Sequence, residues 1–326
     1  MDFIVSIFAV STAQAFFLAL FTEALLKVWK VRLHSQRILF HAAAFIVPPA
    51  IMPFNVYRIL SGDESAFDFH ILDVQPWLNL AIYQGITMSH VLLFFCAISL
   101  ILFAVQEIPP FIAHIRGVLS IDRSAAGKQE SSAEAEGVIN CIASEFPYKI
   151  NILDDAAAAV YAAGLFAPEI VIDRPVLSRL TTGELRLVMM HEAAHIIRRD
   201  NLWGLALFSL RVILFFNPVS MVLFRRIIQE NEIACDEYAL KRSDGREDLI
   251  NGIEKLYSHE TVAGSIPGEG NYGWLSHKTA ALDNFSSYSG IIERIEKIRK
   301  MSGFIPVDLL LFRLLLALVS LAGIAI

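Results

Sequence analysis

Apolar residues in this chain come in long blocks. Residues 3–26, 38–59, 78–105 and 304–326 each hold a run long enough to cross a bilayer as a helix, which takes about 20 apolar residues. A fifth run, 202–224, is as long, but Arg211 lies inside it and Asn217-Pro218 breaks it. Arg198 and Arg199 precede it and Arg225 and Arg226 follow it. Basic residues at both ends favour the same side of the membrane for both. This run is therefore expected to form a bent pair of helices, buried or dipping into the membrane, and not a span.

The polar middle of the chain is patterned differently. Residues 148–153 alternate like a strand, and 169–173 read as a short strand closed by Pro175. Between them, 154–164 begins with two Asp, continues in Ala and ends in Gly, a helix by propensity. The flanking strands and short connections argue instead for a third strand, and strand is the expectation adopted. Residues 181–200 predict a helix: Thr181 and Glu184 have capping-box spacing, and no Gly or Pro interrupts the apolar positions that follow. A second helix is expected over 225–241. Residues 121–137 read as a linker, and 244–284, rich in Gly and Ser, as a mobile loop. Ile291, Ile292, Ile295 and Ile298 mark an amphipathic basic helix suited to the inner leaflet.

Composition agrees with a membrane protein. Hydrophobic residues make up 55% of the chain and charged residues 18%, with a mean hydropathy of +0.54, against about a quarter charged in soluble domains. Lys27, Lys30, Arg32 and Arg37 lie between the first two runs; Asp63, Glu64, Asp68 and Asp73 lie between the second and third. The positive-inside rule then puts the first loop in the cytoplasm, both termini outside, and residues 106–303 inside. Asp2 and the length of the first run point to a span, not a signal peptide. A net charge of −6 argues against a nucleic-acid partner. Three scattered cysteines imply no disulfide framework.

The candidate chemistry lies at His191-Glu192-Ala193-Ala194-His195, an HExxH pattern on the 181–200 helix. Residues four apart share a helix face, so both imidazoles can grip one metal ion with Glu192 beside them. A catalytic zinc takes three protein ligands and keeps a fourth position open. Glu232, on the following helix, is the candidate third ligand, with Glu230 and Asp283 as rivals. Asp236, one turn beyond Glu232, is a candidate to hold a ligand histidine by its other nitrogen, and Asp200 is a further candidate. One ion cannot be shared across a bilayer, so this ligand set requires that 202–224 not cross it. The expected chemistry is peptide hydrolysis by a metal-activated water, with Glu192 as general base and then acid. A peptide substrate is expected to add to the edge of the small sheet.

The run GLFAPEIVID, then LTTGELRLVMMHEAAHIIRRD, then FFNPVSMVLFRRIIQENEIACDEYAL resembles the BlaR/MecR-type integral-membrane zinc peptidases. The resemblance implies His191, His195 and Glu232 as Zn2+ ligands, Glu192 as catalytic acid/base, and a gluzincin-like domain between the third and fourth spans. The expected fold is thus a mainly α membrane protein: a three-span region (1–105), a cytoplasmic α+β zinc metallopeptidase domain (106–303) and a fourth transmembrane helix (304–326). Expected partners are a protein or peptide substrate, the lipid bilayer of the cell membrane, a cytoplasmic regulator and a second copy of the chain. No Ser-x-x-Lys and no Lys-Thr-Gly occurs, so the expectation is a short form without the family's penicillin-binding sensor. The competing readings are a non-enzymatic transducer with a structural metal and a general quality-control protease.

Overall fold

The computed structural model describes residues 2–31, 33–61, 79–124, 145–153, 160–262 and 283–301. In order these form α1 (Asp2–Val28), α2 (His34–Ser61), β1 (Ala81–Tyr83), β2 (Ile86–Thr87), α3 (Met88–Ser124), β3 (Lys149–Leu153), β4 (Val160–Ala163) and β5 (Glu169–Asp173). They continue as α4 (Arg174–Arg179), α5 (Thr182–Arg198), α6 (Asp200–Ile213), α7 (Pro218–Leu240), α8 (Arg246–Val262) and α9 (Asp283–Lys300). The acidic loop at 63–73, residues 125–137 of the expected linker and the last apolar run at 304–326 lie outside the described residues, and residues 121–124 of that linker are instead the end of helix α3. The fold is mostly helical with some sheet. Two helical stretches, Ile7–Val28 and Met88–Val105, are long and apolar enough to cross a membrane.

The described residues divide into two compact units, one drawn from 1–105 and 207–231 and the other from 106–206 and 232–301. In the first, α1 and α2 bury Leu18, Leu26, Phe40, Ala44 and Phe45. Phe16, Phe17, Leu20, Phe94, Phe95 and Ile101 on α1 and α3 stay exposed, a surface that suits lipid better than water. Helix α2 continues through Pro48, Pro49 and Pro53. The apolar run at 202–224 is a bent pair: α6 ends at Ile213 and α7 starts at Pro218. The break has a local cause. Asn217 caps α7, its Oδ1 accepting from the backbone N–H of Val219 at 3.0 Å and of Ser220 at 3.3 Å, and proline at the first helical position needs no donor.

The second unit holds a three-stranded sheet in the order β3-β5-β4, with β3 parallel and β4 antiparallel to β5. Residues 160–163 are thus strand despite their alanines, and 154–159 lie outside the described residues. Helix α5 is the centre of this unit. Leu185, Val188, Met189, Ala193 and Ile196 pack on Ile170, Ile172 and Ala162 of the sheet. Leu187 and Met190 pack with Ala239, Leu249, Ile250, Ile253, Ile295 and Ile298 of α7, α8 and α9. With apolar residues on two faces, α5 is fixed between layers. Its start is the expected capping box: Thr181 Oγ1 accepts from Glu184 N–H, and a Glu184 carboxylate oxygen accepts from Thr181 N–H.

One expectation fails here. The segment 244–284 was expected to be a loop, yet 246–262 is helix α8. Leu249, Ile250 and Ile253 form a buried stripe, and Gly252 lies against α5. A Cβ there would lie 3.0 Å from Val188 Cγ2.

Candidate metal centre

Every group of the centre belongs to the second unit. His191 and His195 project from the same face of α5, their Nε2 atoms 3.2 Å apart. Each ring is held by its other nitrogen. His191 Nδ1 lies 2.8 Å from Asp236 Oδ1, and His195 Nδ1 lies 2.8 Å from Asp200 Oδ2. Carboxylates at both Nδ1 atoms hold a proton there, so that when each ring is neutral its Nε2 lone pair turns to one common point. Glu232 of α7 reaches the same point: Oε2 is 3.5 Å from His191 Nε2, and Oε1 is 3.7 Å from His195 Nε2. One ligand atom from each of these three side chains lies within 4.8 Å of the other two. Two imidazoles and a carboxylate, all buried or half-buried, fit a divalent ion.

Backbone geometry explains how Asp200 reaches back. Helix α5 ends on Arg199 in the left-handed region, φ 56° and ψ 41°, and Arg199 N–H caps the carbonyls of His195 and Ile196. The chain turns there, and Asp200, the first residue of α6, meets His195 in the last turn of α5. Asp200 Oδ1 also accepts from Arg198 Nε at 3.4 Å. Glu192 lies on the adjacent face of α5, where its Oε2 accepts from the backbone N–H of Ala162 on β4 at 2.9 Å. That anchor fixes one carboxylate oxygen and leaves the other.

Burial and charge act against each other here. Burial raises the pKa of the Glu192 carboxyl, and the two imidazoles only partly offset this. Burial and Arg294 oppose protonation of His191, but Asp236 and Glu232 outweigh them and lift its pKa to about 9. Burial would raise Asp236, yet Arg294 and His191 hold its carboxyl below the usual range.

Glu230, the rival ligand, belongs to the first unit. It is buried there between His34 Nδ1 and Arg37 Nε, the latter donating at 2.8 Å. Asp283 begins α9. Two residues outside the expected site stand in the centre. Cys235 Sγ lies 3.4 Å from His195 Nδ1 and 3.6 Å from Asp200 Oδ2. Arg294 of α9 donates to Asp236 and Glu232. Its signal was present in the sequence: 291, 294, 295 and 298 share one helix stripe, and a cation on an apolar stripe points to a buried partner.

This donor set, on a mainly helical protein with two helices of membrane length, is compatible with a membrane metallopeptidase. A family model described as BlaR1 peptidase M56 matches residues 80–249, and the chain belongs to that peptidase family. A stretch of 136 residues is 29% identical to the "Regulatory protein BlaR1" of Bacillus licheniformis, covering 40% of this chain. The match takes in 22% of that protein's length.

Proposed function

We propose that this chain is a membrane-embedded zinc endopeptidase of gluzincin type that cleaves a cytoplasmic or juxtamembrane protein in signal transduction. The observation that carries the reading is the convergence of His191, His195 and Glu232 within 4.8 Å. These three would hold the ion. When bound, zinc supplies a Lewis acid that polarises a carbonyl and lowers the pKa of water to about 7. Glu192 is the proton carrier. Its raised pKa suits a group that takes a proton from water and hands it to the leaving amine nitrogen. Asp236 and Asp200 hold the imidazoles in register.

The substrate is proposed to lie extended beside β4, the sheet edge nearest Glu192. Three groups along this edge are already engaged: Ala162 N–H by Glu192, and the carbonyls of Ala162 and Gly164 by Asn201 Nδ2 at 3.2 and 3.1 Å. A peptide must therefore displace the Asn201 side chain to pair with those carbonyls. The four-span topology, with the peptidase region at 106–303 cytoplasmic and 304–326 returning across the membrane, belongs to the same proposal.

The test compares bound zinc and peptide cleavage across four proteins. Glu192→Gln is expected to keep its zinc and lose about 10²–10⁴-fold in rate. His195→Ala and Glu232→Ala are expected to lose both. Cleavage that is indifferent to Glu192→Gln would refute the enzyme and favour a structural metal. Zinc retained in Glu232→Ala would move the third ligand elsewhere.

A further inference from the structure

Granting the zinc-peptidase reading, on which this inference rests, we propose that Arg294 is a positioning residue of the metal centre. Its guanidinium fixes the carboxylates of Asp236 and Glu232, so the site is complete only when α9 is docked. Arg294 is buried, at 8% exposure. Nε donates to Asp236 Oδ2 and Nη2 to Asp236 Oδ1, both at 2.6 Å, the paired geometry of an arginine fork on a carboxylate. Nη1 donates to Glu232 Oε2 at 3.1 Å. One planar group thus holds two carboxylates spaced one turn apart on α7.

The chemistry of the centre calls for such a group. Glu192, Asp200, Glu232 and Asp236 crowd one buried region, and carboxylates at close range repel one another. An arginine keeps its charge at any working pH and supplies the counter-charge. It also decides what each carboxylate can do. Asp236 is completely buried and is held between Arg294 and His191, so Arg294 sets the angle at which it meets His191 Nδ1. With Oε2 of Glu232 taken by Arg294, Oε1 is the oxygen left for an ion. Helix α9 is itself held by Ile295 and Ile298, which pack with Leu249, Ile250 and Ile253 of α8. The position of the ligand carboxylates is thereby tied to the helix that the sequence joins, through Met301, Ser302 and Gly303, to its last apolar run.

The experiment uses the full chain in detergent, stripped of metal and titrated with Zn2+ against a chromophoric chelator. Co2+ absorption serves as a second readout of ligand geometry. Wild type is expected to bind Zn2+. Arg294→Ala is expected to bind it roughly 10–100-fold more weakly, with displaced Co2+ bands and recovery in millimolar methylguanidinium. Arg294→Lys, which keeps the charge but not the fork, is expected to fall between them. Wild-type affinity and spectrum in Arg294→Ala would overturn the proposal. Tighter binding would overturn it too, since Arg294 would then be a competitor of the ion. If Arg294→Ala does not fold, an unchanged Arg294→Lys overturns it equally. Wild type that binds no Zn2+ defeats the zinc reading itself, a result distinct from the rest.

Discussion

At the scale of single residues, backbone strain at Arg199 is what returns Asp200 to His195. A non-glycine residue in the left-handed region costs about 1–2 kcal/mol, and no Cβ-free residue relieves it here. Arg199→Gly is therefore expected to leave thermal stability unchanged or raise it slightly, because glycine's entropy loss offsets part of the relief. Arg199→Val is expected to destabilise by about 1–2 kcal/mol or more, since a β-branched residue tolerates this region least. The comparison is read from melting temperatures in detergent, with Zn2+ affinity as the second readout. A valine variant as stable as wild type would show that the turn is not strained. HExxH was legible in the sequence because the helix repeat alone places two imidazoles on one face. Arg294 escaped because its partners lie about 60 residues away along the chain, and a sequence pattern does not report which cation meets which carboxylate.

At the scale of elements, two contacts have measurable consequences. Helices α5 and α8 touch at Gly252, where a Cβ would lie only 3.0 Å from Val188 Cγ2. Gly252→Leu is expected to cost about 1–3 kcal/mol by overpacking and to lower metal affinity, because α5 carries two of the proposed ligands. Unchanged unfolding in that variant would mean that α8 can move aside. Helices α2 and α7 meet through Glu230. Burial would push its carboxyl up, but His34 and Arg37 pull it down to about 2. The ordinary carboxylate value is near 4.5, so the folded pKa lies below the unfolded one. This group therefore contributes stability that is present above about pH 4.5 and is lost as pH falls towards 2. Arg37→Ala, which leaves the carboxylate with one partner fewer, is expected to destabilise by about 3 kcal/mol at pH 7 and to flatten the stability profile across that acid window. A variant with the same profile as wild type would remove Glu230 as the cause. Helix α8 was missed in the sequence because its central glycine and short apolar stripe resemble a loop when read locally. The same glycine is what lets two helices touch.

At the scale of the whole molecule, the proposed four-span topology predicts which positions are reachable from outside the cell. With the native cysteines replaced, a cysteine at Ser65 is expected to react with a membrane-impermeant maleimide in intact cells. One at Lys30 is expected to react only after permeabilisation. The reverse pattern would invert the peptidase domain, and labelling of both in intact cells would dismantle the topology.

The two helices of membrane length, the break at Asn217-Pro218 and the facing pair of histidines were legible in the sequence alone. Each depends on local rules: span length, the proline constraint, the helix repeat. What the tertiary structure decided was convergence. Two apolar faces hold α5 between a sheet and three helices, a left-handed turn carries Asp200 back, and a buried arginine from a distant helix joins Asp236 and Glu232. Such pairings balance desolvation against partners that are far apart in the chain, and only packing brings those partners within reach.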